Sequence, residues 1–125
     1  MITGLRWVFA AWFAFLAVAM FFVPKLWYQS TPGVPEMGPF NMHFVMDIGL
    51  VFFVSAVCLG YGALSKNQTA MICGALWPAL HATFHIYIWF DRGMPFDLIA
   101  ASNLFGIQLP AWGALYLAQL DGRRG

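Results

Sequence analysis

The sequence predicts an all-α fold, a single bundle of four transmembrane helices. Composition is the first reason. Of 125 residues, 62% are hydrophobic and only 9% are charged, and the mean hydropathy is +0.73. Soluble domains are nearer one quarter charged. Patterning is the second reason. The apolar residues fall into four runs, each close to the ~20 residues that carry a helix across hydrocarbon. The segments between runs are short and rich in turn formers, so residues 1–125 read as one domain.

The first run covers about residues 3–24, behind Arg6. It is long and no small-residue cleavage site follows it, so it reads as a retained helix and not as a removed signal peptide. Residues 25–38 contain Pro32, Gly33, Pro35 and Gly38, which break helices, and Trp27 and Tyr28, which suit a membrane interface. This stretch is expected to be a surface loop. The second run, about 39–64, opens on Pro39, whose missing N–H costs nothing in a first helical turn. Residues 65–69 make a short polar hairpin. The sequon Asn67-Gln68-Thr69 within it carries no weight, because this side is expected to be cytoplasmic.

The third run, about 70–90, holds Pro78, which removes a hydrogen bond to the Gly74 carbonyl and predicts a kink. Residues 91–96 turn the chain, the fourth run covers about 97–119 with Pro110 inside it, and the polar end at 121–125 is expected to fray. Pro39-Phe40-Asn41 is echoed by Pro95-Phe96-Asp97, and the same offset aligns Asp47 with Asn103. The echo is open to two readings: two helical hairpins related by a repeat, or one convenient way of starting a helix used twice. Ala56-x-x-x-Gly60 suggests a helix-packing seam. Trp7, Trp12, Trp27, Trp89 and Trp112 are expected mostly at interfaces or toward lipid. Cys58 and Cys73 lie inside apolar runs and read as small hydrophobes.

The candidate site rests on polar residues in apolar surroundings. His81 and His85 lie four apart in the third run, and His43 and Asp47 four apart in the second. That spacing stacks two side chains on one helix face, one turn apart. An ionisable group at such a place is a functional hypothesis, because hydrocarbon does not solvate it. Counted from the loop ends of antiparallel helices, His43 is expected level with His85, and Asp47 with His81. Asn103 falls near the same depth as an outer hydrogen-bond donor. Three imidazoles and one carboxylate suit a divalent transition metal such as zinc, copper, iron or manganese. A metal-free hydrogen-bonded cluster and a haem or quinone site fit the same residues less fully.

The motif residues Pro32-Gly33-Val34, Gly38-Pro39-Phe40-Asn41, His43-Phe44, Asp47-Ile48-Gly49, His81-Ala82 and His85 resemble those of a group of small uncharacterised bacterial four-helix membrane proteins. The chain is similar to DoxX-like proteins in size and helix number only. The first resemblance covers most of the chain and implies a bacterial inner membrane. It implies no activity. Two classes of function follow from the residues. One is a membrane protein with a His/Asp metal site open toward the periplasm, acting as a metal-dependent oxidoreductase or hydrolase. The other is a non-catalytic subunit or scaffold, associating with other membrane subunits or with its own copies. The net charge of +1 and the absence of a basic run point away from nucleic acid.

Orientation follows from the basic residues. Arg6, Lys66, Arg123 and Arg124 share one side, and Lys25 and Arg92 the other. The excess marks the cytoplasmic side and places both termini there. A reporter active only in the periplasm, fused to the carboxyl terminus, is expected to stay silent; activity would invert this topology.

Overall fold

Side-chain caps decide where the long helices begin. Asn41, Asn67 and Asp97 each accept a hydrogen bond from the backbone N–H three residues on, at 3.0, 3.0 and 2.9 Å. Each satisfies one of the donors that a helix start leaves unpaired. In the computed structural model, which describes residues 2–121, the elements are α1 (Ile2–Phe22), α2 (Pro24–Ser30), a 3₁₀ turn (Pro35–Met37), α3 (Met42–Ser65) and α4 (Gln68–Asp91). The last span is α5 (Leu98–Asn103), a π-helical turn (Leu104–Gln108) and α6 (Leu109–Asp121). Four helical stretches, Gly4–Phe22, Met42–Ser65, Gln68–Asp91 and Leu98–Leu120, are long and apolar enough to cross a bilayer. The chain is thus an all-α integral membrane protein. Its tail, residues 122–125, lies outside the described residues, and with it the expected fraying.

α1 packs on α3, α3 on α4, and α4 on α6, which returns to touch α1. The core between them is made largely of small side chains, among them Ala10, Ala17, Ala56, Ala75 and Ala114, around Phe13 and Met71. Small residues suit this setting. Lipid is as apolar as a side chain, so helices gain mainly by close contact. α3 and α4 come into close contact at Gly74 and at Gly62. A Cβ at Gly74 would sit 2.9 Å from the Ser55 carbonyl oxygen and 2.9 Å from the Leu59 nitrogen. Of the expected seam, Ala56 is buried, while Gly60 faces the Trp7 ring.

Several boundaries differ from the sequence expectation. α3 starts at Met42, three residues after Pro39, because Asn41 supplies the cap. Residues 24–30 form α2 rather than loop. Pro24 stands in its first turn, and the hydroxyls of Ser30 and Thr31 donate back to the carbonyls of Leu26 and Trp27 at 2.8 and 2.7 Å. α4 runs unbroken through Pro78, which is fully buried. The α3–α4 hairpin is as short as expected, with Lys66 in the left-handed region (φ 53°) ending one helix and Asn67 capping the next. The two Pro-Phe-Asx sequences each serve as a helix start: Asn41 and Asp97 are both caps. That use explains the echo locally.

At the end opposite the Lys66 hairpin, called here the loop end, Gly33 holds the connection onto α5. Its φ is +88°, and a Cβ would lie 2.7 Å from Ile99 Cγ2. Asp97 also accepts from Arg92 at 2.6 Å. The Arg92 hydrogen bond, then the Ala100 amide, hold the Asp97 carboxyl below the ordinary carboxylate range. Its contribution is therefore complete above that range and lost as the pH falls below it. Gly74→Val is expected to force α3 and α4 apart and cost about 1–3 kcal/mol, read as lowered resistance to unfolding in mixed micelles.

Candidate functional site

The histidines of α4 lie inside the bundle. Trp77, His81 and His85 follow one another at four-residue spacing along one stripe of the helix. Trp77 stacks on His81 with ring centroids 4.9 Å apart, and His81 meets His85 edge-on at 4.5 Å. Phe52 of α3 presses its edge on both Trp77 and His81, at 5.0 and 6.3 Å. Both imidazoles are half-buried. Nδ1 of His85 is buried and has no hydrogen-bond partner among the described residues. Asn103, at the end of α5, lies beside His85.

The irregular last span completes this layer. Pro110 has no N–H, so it cannot bond a carbonyl one turn back. The Gly106 carbonyl accepts instead from Trp12 Nε1 of α1 at 3.0 Å. Within the π turn, Leu109 N bonds to Leu104 O, and Gln108 Nε2 donates to the Ala82 carbonyl of α4 at 2.8 Å. Single π turns inside α-helices often mark functional sites. Between these parts is a cavity of about 10 Å³, lined by Phe13, Phe52, Pro78, His81, Gly106, Ile107 and Ala111. That is close to the space one water fills.

His43 and Asp47 are elsewhere. They do meet each other, Nε2 to Oδ2 at 3.1 Å, but with 88% and 54% of their side chains exposed. The buried face of α3 runs through Val45, Gly49, Phe52, Ser55, Ala56, Leu59 and Gly62. At 3.6 residues per turn, positions 43 and 47 lie roughly 160° round the helix from Val45. The depths also shift. With α3 starting at Met42 and not at Pro39, His81 comes level with Phe52 instead of Asp47. Among the described residues, no three His, Cys, Asp or Glu side chains are placed to hold one ion together. The expected four-ligand shell is thus resolved into two separate pairs, one inside and one outside.

A wider cleft of about 390 Å³ opens at the loop end between residues 29–36 and the start of α5. Glu36 and Asp97 line it, but Asp97 is already committed to Arg92 and Ala100. Two tryptophans also bind backbone of the protein. Trp12 is a half-buried donor to Gly106, and Trp89 donates to the Pro95 carbonyl at 2.9 Å. Both hold protein groups together. Trp77 and Gln108 escaped the sequence reading, although Trp77 continues the His81/His85 spacing and Pro110 signals an orphaned carbonyl.

Comparison of the chain with protein-family models, curated proteins and solved structures finds no match. Function is therefore read from the geometry alone. Trp12→Phe is expected to leave the Gly106 carbonyl unpaired and cost about 1–3 kcal/mol of stability. Trp112→Phe, which removes a 2.9 Å bond to the exposed Gln108 Oε1, is expected to cost less than about 0.5 kcal/mol. Paired unfolding measurements on the two variants check the difference.

Proposed function

We propose that the protein is a membrane metal-binding enzyme whose ion is held by His81 and His85 in the loop-end half of the bundle. One observation carries this reading: two imidazoles one helical turn apart, centroids 4.5 Å apart, with a buried Nδ1 of His85 that has no hydrogen-bond partner among the described residues. Such a nitrogen costs about 1–3 kcal/mol when left unmet, and a ligated ion removes that cost. Histidines at this spacing on one helix face form a familiar chelating pair. Neutral imidazole suits zinc, copper or iron.

Two protein ligands leave positions open. Structural zinc sites are closed by four protein ligands, whereas catalytic sites keep a position for water or substrate. An ion there polarises a bound molecule or lowers the pKa of a bound water, the chemistry of a metal-dependent hydrolase or oxidoreductase. Asn103, beside His85, orients that ring as an outer partner does in metal sites. The cavity of about 10 Å³ beside His81 favours an ion or a water over a haem or quinone ring.

Purified protein equilibrated with zinc and freed of excess is expected to retain about one ion per chain. His81→Ala and His85→Ala are each expected to reduce this to background. Thr83→Ala, whose hydroxyl donates to Ala79 on the exposed side, and His43→Ala are expected to retain it. Zinc bound equally well by both histidine variants, or not bound by the parent chain, would contradict the reading.

A further inference from the structure

The cleft at the loop end points down toward the histidine pair. One wall is the stretch from Gln29 to Glu36, the other is Asp97, Leu98 and Ile99, and the space between is about 390 Å³. Ile99 and Asn103 are four residues apart on α5, so they share one helix face, with Asn103 ~6 Å deeper. Both are half-buried, and Asn103 lies beside His85. The depths agree from both helices. Asn103 is six residues below the Asp97 cap, and His85 is six residues before Asp91, the end of α4. Ile99 is the step of this face between the cleft and Asn103. Its side chain is seated under Gly33, where a Cβ would lie 2.7 Å from Cγ2, 3.4 Å from Cγ1 and 3.5 Å from Cδ1. Most polar groups of the cleft have protein partners. Ser30 and Thr31 donate to Leu26 and Trp27, and Arg92 neutralises Asp97. The exposed Glu36 carboxylate therefore sets the sign of the cleft.

We propose that this cleft is the aqueous entrance to the histidine pair, with Ile99 as the wedge that closes it and Glu36 as the charge that favours small hydrated cations. Hydrocarbon passes no hydrated ion, so a divalent metal ion has to reach His85 from an aqueous face. The cleft is open to water at the loop end, and charge lining a cleft concentrates ions of opposite sign. Such an ion has one turn of α5 to descend when Ile99 swings from under Gly33. Only the cargo rests on the proposed metal function; the route is read without metal.

The test uses the full chain in lipid nanodiscs, with Cys58 and Cys73 replaced by alanine. Two thiol reagents that do not enter hydrocarbon are compared, a quaternary ammonium methanethiosulfonate and its sulfonate analogue. The cationic reagent is expected to label Asn103→Cys about tenfold faster than Phe105→Cys, whose position is 68% exposed along the span and faces lipid. Adding Ile99→Ala is expected to speed the labelling of Asn103→Cys about tenfold, because the thiol no longer waits on local opening. Leu98→Ala, roughly 140° round the helix from Asn103, is expected to leave it unchanged. The cation is expected to outpace the anion about threefold at Asn103→Cys, and Glu36→Gln to erase that ratio. Taken at one cysteine, the ratio is independent of that thiol's own reactivity. Circular dichroism checks folding, and His85→Cys, at the same depth, is the second reporter. Labelling at both reporters no faster than at Phe105→Cys, a rate that Ile99→Ala leaves unchanged, or a charge ratio that survives Glu36→Gln would overturn the proposal. Zinc retained by a chain whose reporters stay inert would remove the route and keep the metal reading. Labelling as expected in a chain that retains no zinc would do the reverse.

Discussion

Hydrocarbon offers no hydrogen bonds, so each polar group at depth must find its partner inside the protein. The last span shows how far this shapes the chain. Pro110 deprives Gly106 of its helical donor, and the Trp12 indole crosses from α1 to replace it. The π turn before Pro110 lets Gln108 reach the Ala82 carbonyl. Those two bonds tie the π turn to α1 and to α4 in the half of the bundle that holds His81 and His85. Packing elsewhere relies on small side chains, as at Gly62 and Gly74, where backbone meets backbone across the α3–α4 contact.

The same constraint separates the two histidine pairs. His81 and His85 lie on the stripe of α4 that turns inward past Phe52, so aromatic edges and Asn103 surround them. His43 and Asp47 lie opposite the buried face of α3, so among the described residues they have only each other. One pair is half-buried among the helices; the other is exposed.

Much of the fold was legible because it depends on local signals. Four apolar runs near the length of the membrane predict four spans, and the Asn67 region predicts a tight hairpin. The i, i+4 spacing of His81 and His85 likewise placed them together. The combined four-ligand site was not legible, for two physical reasons. Pro39 and Asn41 both read as helix starters, and the cap prevails over the proline, shifting α3 by nearly a turn. Periodicity also tells which residues share a face but not which face is buried. Val45, Gly49 and Phe52 take the interior because Gly49 lets α1 come close. The π turn escaped because no residue type announces it, although Pro110 marks the carbonyl that it leaves to Trp12.

The central claim is that the interior pair, and not the exposed one, makes a ligand shell. X-ray absorption at the zinc edge of the loaded protein tests it most directly. The expected spectrum has two imidazole nitrogens per ion at ~2.0–2.1 Å with lighter oxygen ligands completing the shell, unchanged in His43→Ala. A shell of oxygen alone, or loss of the imidazole signal in His43→Ala, would contradict it.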